Sequence, residues 1–509
     1  MSVLGEFLQI IMGGNKLEKT VVVKRLSLLL TVIASLVSLQ CAINPVTKQY
    51  EFMLISTEQE VAYGRDAAPE ITEKYGYYDD QKIQGYISRI GEKLVSVCDR
   101  KDIAYHFTVV DSPEINAFAL PGGYVYITRG ILSQINSEAE LASIMGHELG
   151  HVTARHSARQ ISSSMSYQTV ASVASMIYPQ IQQWSQVMDT IFSGIENGYG
   201  RSYELQADDL GIKYSSNAGY NPRASASFLQ HLEMNEKGEN VLHGLMSTHP
   251  ETVERIDKAK AEAELILKQT PGKQFVDNRD PYLSQIDGLV YGLGEKNGIF
   301  DGHTYNNGFY KFSVSIPQGW KKFESRYVFA FKQPEREMYA TLQRINLKNN
   351  ITAEQLAQKW ENNKKLKRVY GKNSTTGSIN AFRALYSANV NKAKATLDVL
   401  FFVRQGTGFA ILTSALDSEY KQGSIYFNNI FNSLRELSEK EASLFGSRTI
   451  KIYTVKSGDT VQSLAENYFR DKTKDEEIAL INGFDKNRKL TAGEKIKIPM
   501  LKGGTSIGF

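Results

Sequence analysis

The stretch "ELASIMGHELGHVTARHSARQ", residues 140–160, governs how the rest of the chain is read. It holds three of the eight histidines within ten positions. Apolar residues recur in it at helical spacing, and "SEAE", Ser137 to Glu140, forms a capping box just ahead. A helix starting near residue 138 is therefore predicted. On such a helix i and i+4 share one face, so His147 and His151 can direct two imidazole nitrogens at one metal ion. Glu148 stands on the flank of that face, able to reach a water without being a ligand. The competing reading is a helix whose histidines are satisfied by backbone groups.

A catalytic zinc needs a third protein ligand and one position left to water. "RSYELQADDL", residues 201–210, sets Glu204 and Asp208 at i and i+4 on a second helix. Glu204 is the candidate third ligand, and Asp208 can accept a hydrogen bond from a ligand histidine. One Zn(2+) per chain is expected. Its chemistry is the activation of water for attack on a carbonyl, with Glu148 as general base. "STHPETVERI", residues 247–256, adds His249 and Arg255, donors able to stabilise an oxyanion. His249 can alternatively approach the metal and hold the site latent, and both readings stand.

"GGYVYITRG", residues 122–130, reads as a glycine-led strand. As an exposed sheet edge it would pair with an extended substrate, making Gly122, Gly123, Tyr124, Val125, Tyr126 and Asn116 candidate substrate-binding residues. His156 lies five residues past His151, about 140° around an ideal helix. It is expected to pack, or to cap with Arg155, rather than to bind metal. His106, His231, His243 and His303 have no ligand context.

Four motifs in order, "NAFALPGG", "HELGHVTARH", "YELQADDLG" and "STHPETVERI", resemble the CAAX-prenyl-endopeptidase family of gluzincins. The similarity is greatest to its soluble branch of bacterial envelope lipoproteins, which begin much like "CAINPVTKQYEFMLISTEQEVAYGR". The resemblance covers about residues 41–268. It implies His147, His151 and Glu204 as zinc ligands, Glu148 as general base, Asp208 as an orienting residue and His249 near the zinc. It also implies a zincin-type fold and misfolded or unassembled envelope proteins as substrates.

The rest of the chain agrees with export. Lys24-Arg25 precedes "LSLLLTVIASLVSL", residues 26–39, a run without charge that is short for a bilayer span and suited to a signal segment. Cys41 follows at once and is the expected lipidation site. A plain signal peptide or an uncleaved anchor is the alternative, because "SLQC" departs from the usual lipoprotein pattern. The second cysteine, Cys98, sits in an apolar-periodic stretch and reads as a small core residue. A formal charge of +4 over 509 residues makes no case for nucleic acid. The expected location is the periplasm, anchored at the outer membrane through Cys41.

A signal segment (1–40), a peptidase domain (41–268), a linker (269–289), an accessory domain (290–440) and a last module (450–499) are the expected divisions. The fold class is α+β multidomain: a mainly helical zincin-type domain with a small sheet, an antiparallel α+β accessory domain, and a β-α-α-β module. Residues 453–499, "YTVKSGDTVQSLAENYF" through "AGEKIKIP", resemble a LysM module, which implies peptidoglycan as partner or a relic of that fold without glycan binding. A second function class stays in view: a chaperone or assembly factor that binds unfolded envelope proteins, with weak or latent proteolysis.

Overall fold

The structure is a computed structural model that describes residues 41–171, 187–188, 190–195, 198–236, 248–249, 253–294, 296–325, 328–347, 349–364, 366–390, 393–469 and 471–501. The signal segment and His243 lie outside the described residues, and of the 161–200 stretch only its two ends are described. The described chain forms two compact units. The first comprises residues up to Leu289 with 451–462 and 475–498; the second comprises 290–450 with 463–474 and the residues from Pro499 on.

The first unit opens with a hairpin, β1 (Cys41–Ile43) and β2 (Tyr50–Phe52), in which Cys41 pairs with Phe52. Helices α1 (Thr57–Tyr75) and α2 (Gln81–Val95) follow. Ser56 caps α1 in a box with Gln59, and Asp80 caps α2 by accepting from the Ile83 amide. Strands β3 (His106–Val110), β4 (Ala117–Leu120) and β5 (Tyr124–Thr128) then form a sheet in the order β3-β5-β4. β5 is thus the central strand, parallel to β3 and antiparallel to β4.

That order corrects the expected exposed edge at 122–130. The backbone of Tyr124, Val125 and Tyr126 is paired on both sides, so it cannot receive a substrate strand. Gly122 and Gly123 instead make the β4–β5 turn at φ +78° and +99°. A Cβ would stand 2.5 Å from the Val61 Cα at Gly122 and 2.2 Å from the Ala104 carbonyl at Gly123, so only glycine lets this turn seat on its neighbours.

Next come α3 (Arg129–Gln134), α4 (Glu138–Thr153), α5 (His156–Ala171), α6 (Arg201–Asn217), α7 (Ala224–Glu236), α8 (Val253–Gln269) and α9 (Arg279–Ile286). Ser137 caps α4 at the Glu140 amide as expected, but the Glu140 carboxylate accepts from the Asn136 amide instead of closing the box. The break between α4 and α5 falls at Arg155, whose φ is +58°. A non-glycine residue in this region costs about 1–2 kcal/mol. Arg155 is held there by the buried carboxylate of Glu60 at 2.9 Å, which also takes a two-pronged pair from Arg100 at 2.9 and 3.1 Å.

The stretch taken as a linker ends sooner than expected. Residues 279–289 belong to the first unit because Tyr282 and Leu283 are fully buried and the Tyr282 hydroxyl donates to the Leu132 carbonyl at 2.6 Å.

The second unit is built on an antiparallel sheet of seven strands: β6 (Lys321–Ser325), β7 (Val328–Lys332), β8 (Tyr339–Asn346), β9 (Arg368–Thr376), β10 (Ile379–Val390), β11 (Ala393–Arg404) and β12 (Thr407–Leu416). Their order is β6-β7-β8-β12-β11-β10-β9. Alternate residues of β11 serve two cores. Val399 and Phe401 pack with Leu356 and Trp360 of α10 (Ala353–Lys364), while Leu400 and Phe402 pack with Phe427 and Phe431 of α11 (Asp417–Asn432). Burial on both faces explains why "VLFFV", residues 399–403, reads as a continuous apolar run. Trp320 is buried in the core with α11.

The last module has the expected β-α-α-β order: β13 (Arg448–Thr454), α12 (Val461–Phe469), α13 (Asp475–Asn482) and β14 (Lys495–Leu501). It does not form a unit by itself. The buried Lys497 ammonium donates to the carbonyls of Ser133, Gln134 and Ile135 at 2.7, 3.0 and 2.9 Å, capping the end of α3. Arg279 bridges the Asn136 and Lys495 carbonyls, and a His231 ring nitrogen lies 2.5 Å from the Leu480 carbonyl.

Candidate metal centre

The site is built where α4 and α6 touch without intervening side chains. A Cβ at Gly146 would meet the Gly211 carbonyl at 2.9 Å, one at Gly211 the His147 amide nitrogen at 2.9 Å, and one at Gly150 the Ala207 Cα at 3.1 Å. Three glycines therefore let the backbones approach, and the approach brings Glu204 to the two histidines.

His147, His151, Glu204 and His249 each turn one donor atom inward, all four within 4.8 Å of one another. His147 Nε2 is 3.1 Å from His151 Nε2 and 3.5 Å from Glu204 Oε2, while His151 Nε2 is 3.6 Å from Glu204 Oε1. His249 Nδ1 approaches Glu204 Oε2 at 2.9 Å and His147 Nε2 at 3.3 Å. Glu148 stands beside this group, with Oε1 3.7 Å from His249 Nε2.

The donor set fits a divalent cation. Glu204 Oε1 and Glu148 Oε1 are buried oxygens without a hydrogen bond, an arrangement that asks for a positive charge. Burial opposes a proton on His147, but hydrogen bonds to Asp208 and Glu204 outweigh it and raise its pKa to about 10. Metal binding at His147 would release that proton. Burial likewise works against the Glu204 anion, yet the charge of His249 and the hydrogen bonds from His147 and His249 hold its pKa far below the usual carboxylate range. Glu148 is the opposite case: desolvation raises its pKa, the direction a general base requires. Burial keeps His151 well below its ordinary value and therefore neutral.

Asp208 sits where the spacing placed it, with Oδ1 2.9 Å from His147 Nδ1. Arg255 has partners that the sequence reading did not foresee: its guanidinium grips Asp208 at 2.7 and 2.8 Å and the His249 carbonyl at 3.1 Å, so it braces the donors, and it lines the same recess as His147 and Glu148. His249 is drawn into the donor group itself. Asn116 is buried beside Thr248, 3.4 Å from its hydroxyl.

His156 is outside the donor group, as expected, but it neither packs away nor caps with Arg155. The left-handed turn at Arg155 swings it back until its Nδ1 is 2.9 Å from His151 Nδ1. Burial lowers its pKa to about 4, so it is neutral. Tyr203 stacks on it at 4.3 Å and Tyr199 stacks on His151 at 4.3 Å. The sequence reading missed these two tyrosines and Gln206; the only signal was their nearness to Glu204 in "YGRSYELQ".

Beside His147 and Glu148, the side chains of Ile144, Phe228 and Leu229 line a recess with about 30 Å³ of free space. That is room for one or two waters.

Residues 81–263 match the model of Peptidase family M48, and residues 453–499 match that of the LysM domain. Among curated relatives, the chain is 28% identical over 220 residues to the mitochondrial metalloendopeptidase OMA1 of Schizosaccharomyces pombe, covering 42% of this chain and 64% of that protein. It is 27% identical over 217 residues to the beta-barrel assembly-enhancing protease of Escherichia coli, covering 41% and 45%. The Arabidopsis thaliana mitochondrial metalloendopeptidase OMA1 is 30% identical over 173 residues, 34% of each chain. The chain thus spans less than two thirds of the length of each of these relatives.

Gly211→Ala tests the helix contact. The added methyl should cost about 1–3 kcal/mol in thermal or urea unfolding. It should also weaken zinc binding, measured by chelator competition, because α4 and α6 must move apart. Wild-type affinity in a folded variant would show that the donors do not depend on this contact.

Proposed function

We propose that the chain is a zinc-dependent metalloendopeptidase of the bacterial cell envelope, of the soluble lipoprotein branch of CAAX-prenyl-endopeptidase-like gluzincins. Its substrates are misfolded or unassembled envelope proteins. The observation that carries this reading is the convergence of His147, His151 and Glu204 with a buried Glu148 at their side, one of whose oxygens has no hydrogen bond. Zinc held by these residues would supply Lewis-acid activation of water and of the scissile carbonyl. Glu148 takes the proton from the attacking water and returns it to the leaving amine. Asp208 keeps His147 Nδ1 hydrogen-bonded, and Arg255 keeps Asp208 in place. β4, the edge strand that lies against α4, replaces β5 as the strand to which an extended substrate would add.

Four inward donors would be enough to hold a zinc ion without a water ligand. This favours His249 as the fourth donor of a latent state, and it keeps the chaperone-like reading with restrained proteolysis alongside. Export and acylation of Cys41 would tether the enzyme to the outer membrane on its periplasmic side; among the described residues no helix is long and apolar enough to cross a membrane. The LysM domain supports peptidoglycan as a further partner.

Glu148→Gln should retain zinc and lose casein cleavage by at least about 10²–10⁴-fold; cleavage at the wild-type rate rejects Glu148 as the base. His249→Ala should cleave casein several-fold faster than wild type in a chelator-sensitive manner, whereas slower cleavage makes His249 a catalytic donor. Peptidoglycan binding is read by sedimenting the whole chain with insoluble sacculi. Protein left in the supernatant rules out tethering.

A further inference from the structure

We propose that His156 and Gln206 are positioning residues that hold His151 in the one tautomer able to offer Nε2 to a metal; the inference rests on the metal-centre reading above. Gln206 Oε1 carries no hydrogen and lies 2.9 Å from His156 Nε2, so that nitrogen donates. A neutral imidazole has one N–H, so His156 Nδ1 is left with a lone pair. It lies 2.9 Å from His151 Nδ1, which therefore donates. His151 Nε2 is then the bare nitrogen, and it faces His147 Nε2 and Glu204 Oε1. Reversing the chain at Gln206 would put the proton on His151 Nε2, pointing at the other donors.

The geometry supports a fixed relay. Tyr203 lies over His156 with the rings 6° from parallel, and Tyr199 lies over His151 at 21°, so both ring planes are set by stacking. The two ligand histidines are thereby oriented by different chemistry. His147 uses the Asp208 carboxylate, whereas His151 uses a neutral histidine whose own proton is placed by an amide. A histidine ligand normally donates its second N–H to a carboxylate, a carbonyl or water. Here a second ring does that work, reached only because the chain turns left-handed at Arg155.

The test measures zinc affinity of the purified chain by competition with a chromophoric chelator. It also assigns the His151 tautomer of the metal-free protein by two-bond ¹⁵N–¹H correlation. Gln206→Leu removes the acceptor and excludes water from its place, while Gln206→Glu keeps an acceptor. We expect Gln206→Leu and His156→Phe to weaken zinc binding by about 10–100-fold. Gln206→Glu should bind like wild type, and the metal-free wild type should show His151 protonated at Nδ1. Wild-type affinity in Gln206→Leu, or a His151 proton on Nε2 in the metal-free wild type, overturns the relay. Gln206 is only partly buried, so its variants decide the matter even if His156→Phe does not fold. A wild type that binds no zinc would sink the metal-centre reading, and the tautomer spectrum would still judge the relay.

Discussion

Everything in the site depends on how closely α4 and α6 approach. His147 and His151 come from one helix and Glu204 and Asp208 from another, and the side chains at a helix contact ordinarily set an axis-to-axis spacing of about 8–10 Å. Gly146, Gly150 and Gly211 remove the side chains that would set such a gap. The cost of burying the donors is offset by the hydrogen bond that Asp208 accepts from His147, by the Arg255 pair that holds Asp208, and by contacts among the donors themselves. The same contact buries Glu148, which is why its carboxyl is driven toward the basic range a proton shuttle uses.

A second buried ionic cluster works at a distance from the donors. Glu60 receives both Arg100 and Arg155, and all three are almost fully inaccessible. A lone buried charge of either sign would be costly, so the cluster persists only as a set. It holds Arg155 left-handed, and Arg100 also donates to the Val152 carbonyl near the end of α4. Helix α4 is thus stopped just after its last ligand, and His156 is turned back onto His151.

The LysM residues show how a familiar module can be absorbed into a larger core. Lys497 spends its three donors on the carbonyls that close α3, the short helix just ahead of α4. Arg279 and His231 add polar links of the same kind. Residues 475–498 thereby share one compact unit with α4 and α6.

Local spacing carried much of this. The i and i+4 pairs His147/His151 and Glu204/Asp208, the cap at Ser137, the β-α-α-β order of the last module and the antiparallel strands of the accessory domain were all legible in the sequence, because helix and strand periods are local properties. What could not be read were relations set by distant partners. Strand order made β5 central rather than an edge, and the fold paired Arg255 with Asp208. A buried Tyr282 drew residues 279–289 out of the linker. His156 is the clearest case. An ideal helix carries it about 140° away from His151, and only the left-handed turn paid for by Glu60, more than ninety residues earlier in the chain, brings the two rings together. The sequence by itself determined which residues can bind a metal. The tertiary structure decided which of them meet and in what protonation state, because glycine contacts, strand order and buried ion pairs join segments that no local period relates.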